Sequence, residues 1–389
     1  PVGELPGGSV YRLHQPTPPE PGDALTLVLS FSGGGTRAAA FAHGVLLELA
    51  DTPIRWQGRD KRLIDEVDLI SGVSGGSVAA AYYATFGVEG LGRFANAFLY
   101  RDFEAELIGS AIRPDEMWRL TSPWWGLSNL LQKRFDRLFE GRRYADLTQR
   151  PGAPLLLVSA TDLDSGNEFA FTQDRFDSLC SNLADVPISF AVTASSAVPL
   201  LLSPLLLKHH GGQCAGGEKP AAPNLHLVDG GLADNLGLRW LLSLDDEPVS
   251  DVVKHVVLIS VDAARDPTHG INGSDRVPSI AQVIQAMAHN VTERRSDDTR
   301  EALKRALRNE PAQGGPALHL LSLTLEHPRD TGSGEPLRRL PTTFALPRAD
   351  VDRLIAAGRQ TLRQHPALQP LLLALQHPGS PSVQQGDSP

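Results

Sequence analysis

A serine flanked by glycines follows a short apolar segment and could serve as a nucleophile. The run Gly72–Gly76 (GVSGG) has the spacing G-x-S-x-G and lies between an apolar strand, 67–71, and an Ala-rich helix, 77–86. A serine on such a strand-to-helix turn is exposed at the carboxyl edge of a sheet, and the strained backbone needs small neighbours. The helix start also favours developing negative charge. Ser74 is therefore predicted to be a nucleophile, with Gly72 and Gly76 supporting the turn.

A second strand-to-helix junction is rich in glycine. Gly33, Gly34 and Gly35 follow the apolar strand 24–31, and a helix begins directly after them. Their backbone N–H groups can point into one concavity and would there hold the oxyanion of a tetrahedral intermediate. The spacing also fits a dinucleotide fingerprint, but the next strand ends in the serine turn and not in the acidic residue that a ribose needs. A triphosphate loop is excluded because no Gly-Lys-Ser/Thr follows.

A serine hydroxyl needs a base because it is a weak nucleophile near neutral pH. Asp229 is the best candidate, since it ends the strand 225–228 and precedes Gly230 and Gly231. The carboxyl ends of parallel strands share one edge of a sheet, which would bring Asp229 close to Ser74. Burial can raise the pKa of a carboxyl group into the range of a general base. The twelve histidines are alternatives, but no flanking motif singles one out.

These motifs, in this order, resemble those of the patatin-like phospholipase family. The matching stretches lie within 25–262 and are Ser32–Ala38, Gly72–Gly76, 194–199 (ASSAVP) and Asp229–Gly231. The resemblance implies a Ser–Asp dyad without histidine, in which Ser74 attacks, Asp229 is the base and the Gly33–Gly35 amides form the oxyanion hole. It also implies hydrolysis of lipid esters through an acyl-enzyme, with no metal or other cofactor. Arg37 matches the family's usual basic position, and Ala38 stands where the family often has glycine.

The elements around these motifs predict one large α/β domain over 24–375. Mostly apolar strands alternate with helical segments, which is typical of a mostly parallel sheet that is covered on both faces. We therefore predict a three-layer α/β/α sandwich with a mostly parallel central sheet and a helical insertion. The further predicted strands are 154–159, 256–261 and 317–325, and the further helical segments are 191–199, 280–308, as one helix or two, and 349–363.

Three segments differ in character from the rest of this domain. Residues 1–23 are a Pro-rich lead-in, and 376–389 are predicted to be a disordered tail. Residues 101–150 are predicted to be a helical insertion or lid. Within it, the apolar spacing over 127–138 indicates an amphipathic helix.

Three tryptophans of the insertion bear on a lipid substrate. Trp118, Trp124 and Trp125 lie near the amphipathic helix. Tryptophan is favoured at membrane interfaces, so these side chains could make a transient contact with a membrane surface. The alternative is that the rings pack the insertion against the sheet.

Composition limits the partners of the chain. Lys and Arg number 36 against 45 Asp and Glu, which gives a net charge of −9 and makes a nucleic acid partner unexpected.

Two apolar stretches, 69–88 and 186–207, are long enough to cross a bilayer. Their interior glycines and prolines favour a buried core instead. The sequence does not set the oligomeric state.

The two cysteines bear on the cellular compartment. Cys180 and Cys214 exclude a four-cysteine zinc site and are either free thiols or one disulfide. The start without methionine, the Pro-rich lead-in and a bridge between the cysteines would favour the cell envelope or secretion over the cytoplasm.

Two other functions remain open from the sequence. One is an α/β-hydrolase esterase with a Ser–His–Asp triad, which requires a downstream histidine such as His255 or His269 near Ser74. The other is a lipid- or nucleotide-binding protein in which Ser74 has no catalytic role. Labelling by a fluorophosphonate separates the last from the other two, because an unactivated serine does not react.

Overall fold

A computed structural model provides the three-dimensional description of part of the chain. It covers residues 11–12, 25–56, 58–120, 122, 126–199, 201–214, 222–242, 255–265, 275, 277–308, 317–325 and 336–376. Most of the Pro-rich lead-in, the tail after Gln376, Trp124, Trp125 and His269 lie outside the described residues. The predictions for those segments therefore stay predictions.

The described residues form strands and helices in the alternating order that the sequence predicts. The strands are β1 (Leu25–Phe31), β2 (Pro53–Trp56), β3 (Arg59–Arg62), β4 (Val67–Val73), β5 (Leu155–Asp162), β6 (Glu168–Ala170), β7 (Leu205–Lys208), β8 (Asn224–Val228), β9 (His255–Asp262) and β10 (Ala317–Thr324). The α-helices are α1 (Gly35–Asp51), α2 (Gly75–Phe94), α3 (Phe103–Ala111), α4 (Pro114–Leu120), α5 (Leu127–Leu138), α6 (Tyr144–Thr148), α7 (Gln173–Ser178), α8 (Ile188–Ser195), α9 (Gly231–Asp234), α10 (Arg239–Leu242), α11 (Ile280–Arg308), α12 (Arg348–Arg363) and α13 (Leu368–Gln376).

Eight of the strands form one mixed sheet with a parallel centre. β10, β9, β1, β4 and β5 lie side by side in that order, and each neighbouring pair is parallel. β6 and β8 are antiparallel to β5, and β7 is antiparallel to β8. β2 and β3 form a separate hairpin.

Helices cover both faces of this sheet. The side chains of β1 show this, because they alternate between two apolar cores. Leu27, Leu29 and Phe31 belong to a large apolar core that they share with α1, α2, α8 and α12. Val28 belongs to a second core, which contains Leu303 of α11. Successive side chains point to opposite faces of a strand, so the two cores lie on opposite sides of the sheet. The predicted three-layer sandwich with a mostly parallel sheet is confirmed.

The strands that precede Ser74 and Asp229 meet head to head beside β5. Val73 of β4 lies opposite Ser159 in parallel register, and Val228 of β8 lies opposite Thr161 in antiparallel register. β6 pairs with both of these β5 residues and so occupies the other side of the strand. β4 and β8 therefore run towards each other along the same side of β5 and end on either side of Ala160.

The direction of β8 corrects one prediction from the sequence. The sequence predicts Asp229 at the carboxyl edge of the sheet, at the end of a strand parallel to the others. β8 instead runs antiparallel to β5 and pairs with only two of its residues. β8 therefore approaches the C-terminal end of β4 from the opposite direction, and Asp229 follows the end of β8. An apolar run indicates a buried strand but does not encode its direction.

The predicted insertion consists of helices in the part that the structure describes. α3 to α6 lie within 101–150, and no strand of the main sheet does. The predicted amphipathic helix is α5, and Leu130, Leu131 and Phe135 on its apolar side are buried. The segment 280–308 is one helix, α11.

The two long apolar stretches are parts of the globular fold. Residues 69–88 build β4 and much of α2, and the described part of 186–207 includes α8 and most of β7. Within the described ranges, no helix combines the length and the hydropathy that crossing a membrane requires.

Cys180 and Cys214 are joined in a disulfide, with their Cα atoms 5.5 Å apart. The bond ties the end of α7 to the segment after β7, and its two cysteines are 34 residues apart in sequence. Of the two states that the sequence leaves open, the structure therefore has the bridged one.

We expect no free thiol in the native protein and a clear loss of stability on reduction. Closing a loop of this length restricts the unfolded chain and stabilises the fold by about 3–4 kcal/mol. Thiol titration of the unreduced, denatured protein and urea unfolding with and without reductant measure both effects. Two titratable thiols before reduction would contradict the bridge.

Candidate active site

Ser74 occupies a strained turn between β4 and α2. Its φ of 48° and ψ of −124° lie outside the regions that L-residues ordinarily adopt. Such a conformation costs roughly 1–3 kcal/mol and persists only where its surroundings enforce it. The turn follows β4 directly and starts a long helix, which is the context predicted for the G-x-S-x-G motif.

Two buried serines hold the peptide groups on either side of Ser74. The Ser74 N–H donates a hydrogen bond to Ser195 Oγ at 2.8 Å. The Ser74 carbonyl accepts from the N–H of Ser77 at 2.9 Å and from Ser77 Oγ at 2.6 Å. Since its N–H is already engaged, Ser74 does not supply an oxyanion donor from its own backbone.

Asp229 is buried, and its carboxyl group lies close enough to the Ser74 side chain for their interaction to influence its pKa. Burial raises the pKa of the Asp229 carboxyl to about 6, although hydrogen bonds from the Gly231 N–H and from Ser74 act in the opposite direction. The Gly231 N–H donates to Asp229 Oδ1 at 2.8 Å. The predicted pair, Ser74 and Asp229, is therefore brought together by the fold, with a carboxyl group that is more basic than usual.

The glycine-rich junction lies against the same serine. A Cβ built on Gly33 would be 3.4 Å from the Cβ of Ser74. The Gly33 N–H, however, donates to the carbonyl of Asn235 at 3.1 Å. Among the described residues, the N–H groups of Gly34 and Gly35 have no hydrogen-bond acceptor. Of the three amides predicted for an oxyanion hole, two are therefore available and that of Gly33 is not.

The helices α1 and α2 begin next to each other beside Ser74. Gly35, the first residue of α1, has a φ of 60°, and a Cβ there would overlap the carbonyl of Thr343. A Cβ on Gly75, the first residue of α2, would overlap the carbonyl of Gly35. Helix starts carry partial positive charge, so both helices favour an anion at this point.

Three of the remaining motif glycines, Gly72, Gly76 and Gly230, lie at close backbone contacts, whereas Gly231 lies against the side chains of Asp229 and Asn235. Gly72 is on β4, Gly76 is in the first turn of α2, and Gly230 and Gly231 follow Asp229. A Cβ on Gly230 would overlap the carbonyl of Ser159, so only glycine allows β8 to end this close to β5.

Arg37 anchors the glycine-rich junction to a distant part of the chain. Its buried guanidinium donates to the carbonyls of Ala263, at 3.0 Å, and Leu340, and to Thr342 Oγ1 at 3.2 Å. Burial lowers the pKa of Arg37 to about 10. Its contacts give it a structural role beside the dyad. The sequence did not indicate that segment 340–343 contributes to the site, because no motif marks it.

In the residues that are described, no histidine bonds to Ser74 or Asp229, and no metal-binding cluster is found. His255 is the first residue of β9 and pairs with Leu25, roughly 20 Å along β1 from the glycine-rich junction. Its ring faces that of His319, with 3.2 Å between Nδ1 and Nε2. In the described ranges, no group of three or more His, Cys, Asp or Glu side chains is placed to hold a metal ion.

Comparisons with known proteins agree with this architecture. A model of the family described as patatin-like phospholipase matches residues 29–242, more than half of the chain. The fold is similar to human GIVD cytosolic phospholipase A2, with a TM-score of 0.51 and 13% identity over 90% of this chain and 60% of that chain. The chain therefore spans less than two thirds of the length of that enzyme. VipD from Legionella pneumophila aligns with a TM-score of 0.40 and 14% identity, over 88% of this chain and 67% of that one. No curated protein matches the chain.

The reactivity of Ser74 should depend on pH through the ionisation of Asp229 near pH 6. A deprotonated Asp229 can accept the hydroxyl proton and a protonated one cannot, and burial raises its pKa to about 6. The rate of fluorophosphonate labelling should therefore be constant above about pH 7 and fall about tenfold per pH unit below the pKa. Asp229→Asn should label slowly and show no such inflection. An inflection of the same size and position in the pH profile of Asp229→Asn would contradict the assignment of Asp229 as the base.

Proposed function

The chain belongs to the patatin-like phospholipase family, and from this membership we propose that it is a serine hydrolase of lipid esters. Its reaction is phospholipase A-type cleavage of an ester bond in a phospholipid or a related lipid. The observation that carries the proposal is the proximity of Ser74 to the buried Asp229 carboxyl, since both residues bond to the stretch 195–197 and the Ser74 side chain influences the pKa of Asp229. The two free amides of Gly34 and Gly35 beside this pair support it.

The first half of the reaction transfers the acyl group to the enzyme. Asp229 takes the hydroxyl proton as Ser74 Oγ attacks the ester carbonyl carbon. The carbonyl oxygen becomes an oxyanion and accepts hydrogen bonds from the N–H groups of Gly34 and Gly35. The tetrahedral intermediate then collapses, the carbon–oxygen bond to the alcohol breaks, and Asp229 returns its proton to the departing alcohol.

The second half releases the fatty acid. Asp229, again a carboxylate, removes a proton from water, and the resulting hydroxide attacks the acyl-enzyme carbonyl. The same amides hold the second oxyanion. Collapse breaks the ester bond to Ser74, and the proton on Asp229 returns to Ser74 Oγ. In this scheme every proton moves between Ser74, Asp229, the alcohol and water, and no step requires a cofactor.

Helices α3 and α4 offer a surface for the lipid aggregate that holds the substrate. Ile108, Ile112, Met117 and Trp118 lie within eleven residues, and their side chains are 56% to 79% exposed. Large apolar groups at this density on short helices are typical of interaction surfaces, and aromatic and aliphatic side chains enter the boundary between headgroups and acyl chains.

The same two helices attach to the protein through charged groups. Glu106 of α3 pairs with Arg134 of α5 at 3.0 Å, and Glu116 of α4 pairs with Lys133 of α5. Charged groups of both helices therefore face the protein while several large apolar side chains are exposed, although Phe103 at the start of α3 is buried in the apolar core. The proposed transient contact with a membrane surface would bury these exposed apolar side chains.

The start of α3 also adjoins the segment that supports the glycine-rich junction. The Phe103 N–H donates to the carbonyl of Phe344 at 3.3 Å, and the Phe344 N–H donates to Glu104 Oε1 at 2.8 Å. The neighbouring Thr343 accepts from the N–H of Thr36 at 2.8 Å. A lipid surface bound at α3 would therefore lie on an element that is directly connected to the proposed oxyanion hole.

We also propose the cell envelope or the extracellular space as the location of the protein. The disulfide between Cys180 and Cys214 supports this, because such bonds persist in oxidising compartments and are rare in the cytosol.

Removal of either dyad side chain should abolish hydrolysis without unfolding the protein. Ser74→Ala should lose fluorophosphonate labelling completely and should reduce ester hydrolysis by roughly 10⁴-fold or more. Asp229→Asn should reduce hydrolysis by roughly 10²–10⁴-fold, because the general base is lost. Ser178→Ala, which removes an exposed hydroxyl of α7, is the control and should behave as the wild type. Wild-type hydrolysis by Ser74→Ala would refute the proposed function.

A charge at Ile108 or Ile112 should weaken binding to membranes and hydrolysis of membrane lipids, without affecting hydrolysis of a soluble ester. Ile108→Asp and Ile112→Asp should each lower binding to phosphatidylcholine vesicles, and hydrolysis of the lipids in them, by about tenfold or more. Hydrolysis of a soluble short-chain ester should not change. Leu373→Asp on α13, where the side chain is 61% exposed, is the matched control. An equal loss in Leu373→Asp, or unchanged vesicle binding in the Ile108 and Ile112 variants, would contradict the assigned surface.

A further inference from the structure

The residues at the end of α8 form backbone and side-chain contacts with both members of the dyad. The Ser74 N–H donates to Ser195 Oγ at 2.8 Å. The Gly230 N–H donates to the carbonyl of Ser195 at 3.1 Å, and the Asp229 N–H donates to the carbonyl of Ala197 at 3.0 Å. One short stretch, 195–197, is therefore bonded to the turn that carries the nucleophile and to the turn that carries the base.

The hydroxyl of Ser195 also connects these turns to the central sheet. Ser195 Oγ donates to the carbonyl of Ser159 on β5 at 2.7 Å while it accepts from Ser74. Ser159 lies opposite Val73, the last residue of β4. The side chain thus joins the end of β4 to β5 at the point where regular strand pairing stops. A hydroxyl can accept and donate at once, and no apolar side chain of similar size can do either.

The backbone N–H of Ser74 depends on Ser195 Oγ as its hydrogen-bond acceptor. Ser195 is completely buried, so no solvent is available to replace its hydroxyl. Without the bond, the N–H of Ser74 would be left unpaired in the interior, which is unfavourable. The strained conformation of Ser74 is held by bonds to its N–H and to its carbonyl. Without Ser195 Oγ, the bond to the N–H would be lost, and only the bond from Ser77 to the carbonyl would remain.

From these contacts we propose that Ser195 is a positioning residue for the acyl-transfer reaction. Its hydroxyl fixes the backbone of Ser74 and its carbonyl fixes the turn after Asp229, so that together they set the distance between the nucleophile and the base. The inference rests on the proposed function, since it concerns the same dyad. Ser195 itself touches neither the substrate nor the reacting atoms.

The neighbouring serine provides a matched comparison. Ser196 is also completely buried. Its Oγ finds no hydrogen-bond partner among the described residues. Ser196→Ala therefore removes one oxygen atom from the same environment as Ser195→Ala does, without breaking a contact to Ser74 or Ser159.

The test compares Ser195→Ala, Ser196→Ala and Ser195→Thr, which keeps the hydroxyl. Ser195→Ala should lower kcat for a soluble short-chain ester, and the rate constant of fluorophosphonate labelling, by about 10- to 100-fold, because small misplacements of reacting groups have effects of this size. KM should stay within about twofold. Ser196→Ala should stay within about twofold of the wild type in every parameter, and Ser195→Thr should recover most of the lost kcat. Melting temperatures verify that each variant is folded.

Two outcomes would overturn the proposal. One is a folded Ser195→Ala variant that labels at the wild-type rate. The other is an equal loss in Ser195→Ala and Ser196→Ala, which would indicate packing and not positioning. Should Ser195→Ala fail to fold, Ser195→Cys carries the test, because a thiol is a weaker donor and acceptor, and wild-type labelling would again overturn the proposal. Retained hydrolysis and labelling in Ser74→Ala would instead refute the proposed function, so the two failures are distinguishable.

Discussion

The arrangement of the site depends on the way in which β4 and β8 end beside β5. Each strand is held to β5 by ladder hydrogen bonds, and the registers put the ends of both strands at the level of Ala160. A shift of one residue in either register would move one of the two side chains by about 3.3 Å, beyond hydrogen-bond reach of the other. The proposed nucleophile and the proposed base are therefore placed by the rigid centre of the fold.

The surroundings of Asp229 balance two opposing effects on its carboxyl group. Burial favours the neutral acid, while the hydrogen bonds from Gly231 and Ser74 favour the carboxylate, and together they hold the pKa at about 6. A larger set of donors would lower the pKa and make the carboxylate a weaker base. Deeper burial without these donors would leave the group protonated at neutral pH. The intermediate value suits the proposed role of Asp229, which is to accept a proton and return it in each catalytic cycle.

The sequence was sufficient to identify six strands of the main sheet, the serine turn and the candidate base, because apolar runs and glycine spacing are local signals, but it did not indicate the short strands β2, β3, β6 and β7. It did not reveal the direction of β8 or the pairing of the cysteines. The stretch 194–199 matches a motif of the family, yet the contact of Ser195 with Ser74 joins residues 121 positions apart. The contact of Arg37 with Leu340 joins residues 303 positions apart. Periodicity shows which residues are buried, but not which distant groups they will meet.

The position of β9 has a consequence for the segment 29–242 that matches the family. β9 follows this segment in the chain but pairs along the whole of β1, between it and β10. A fragment that ends at residue 242 would leave one side of β1 as an open, apolar edge of the kind that promotes association between sheets. It would also remove the acceptors of the buried Arg37 guanidinium and leave a cation without partners in the interior. The region recognised by its motifs is thus smaller than the unit that can fold independently.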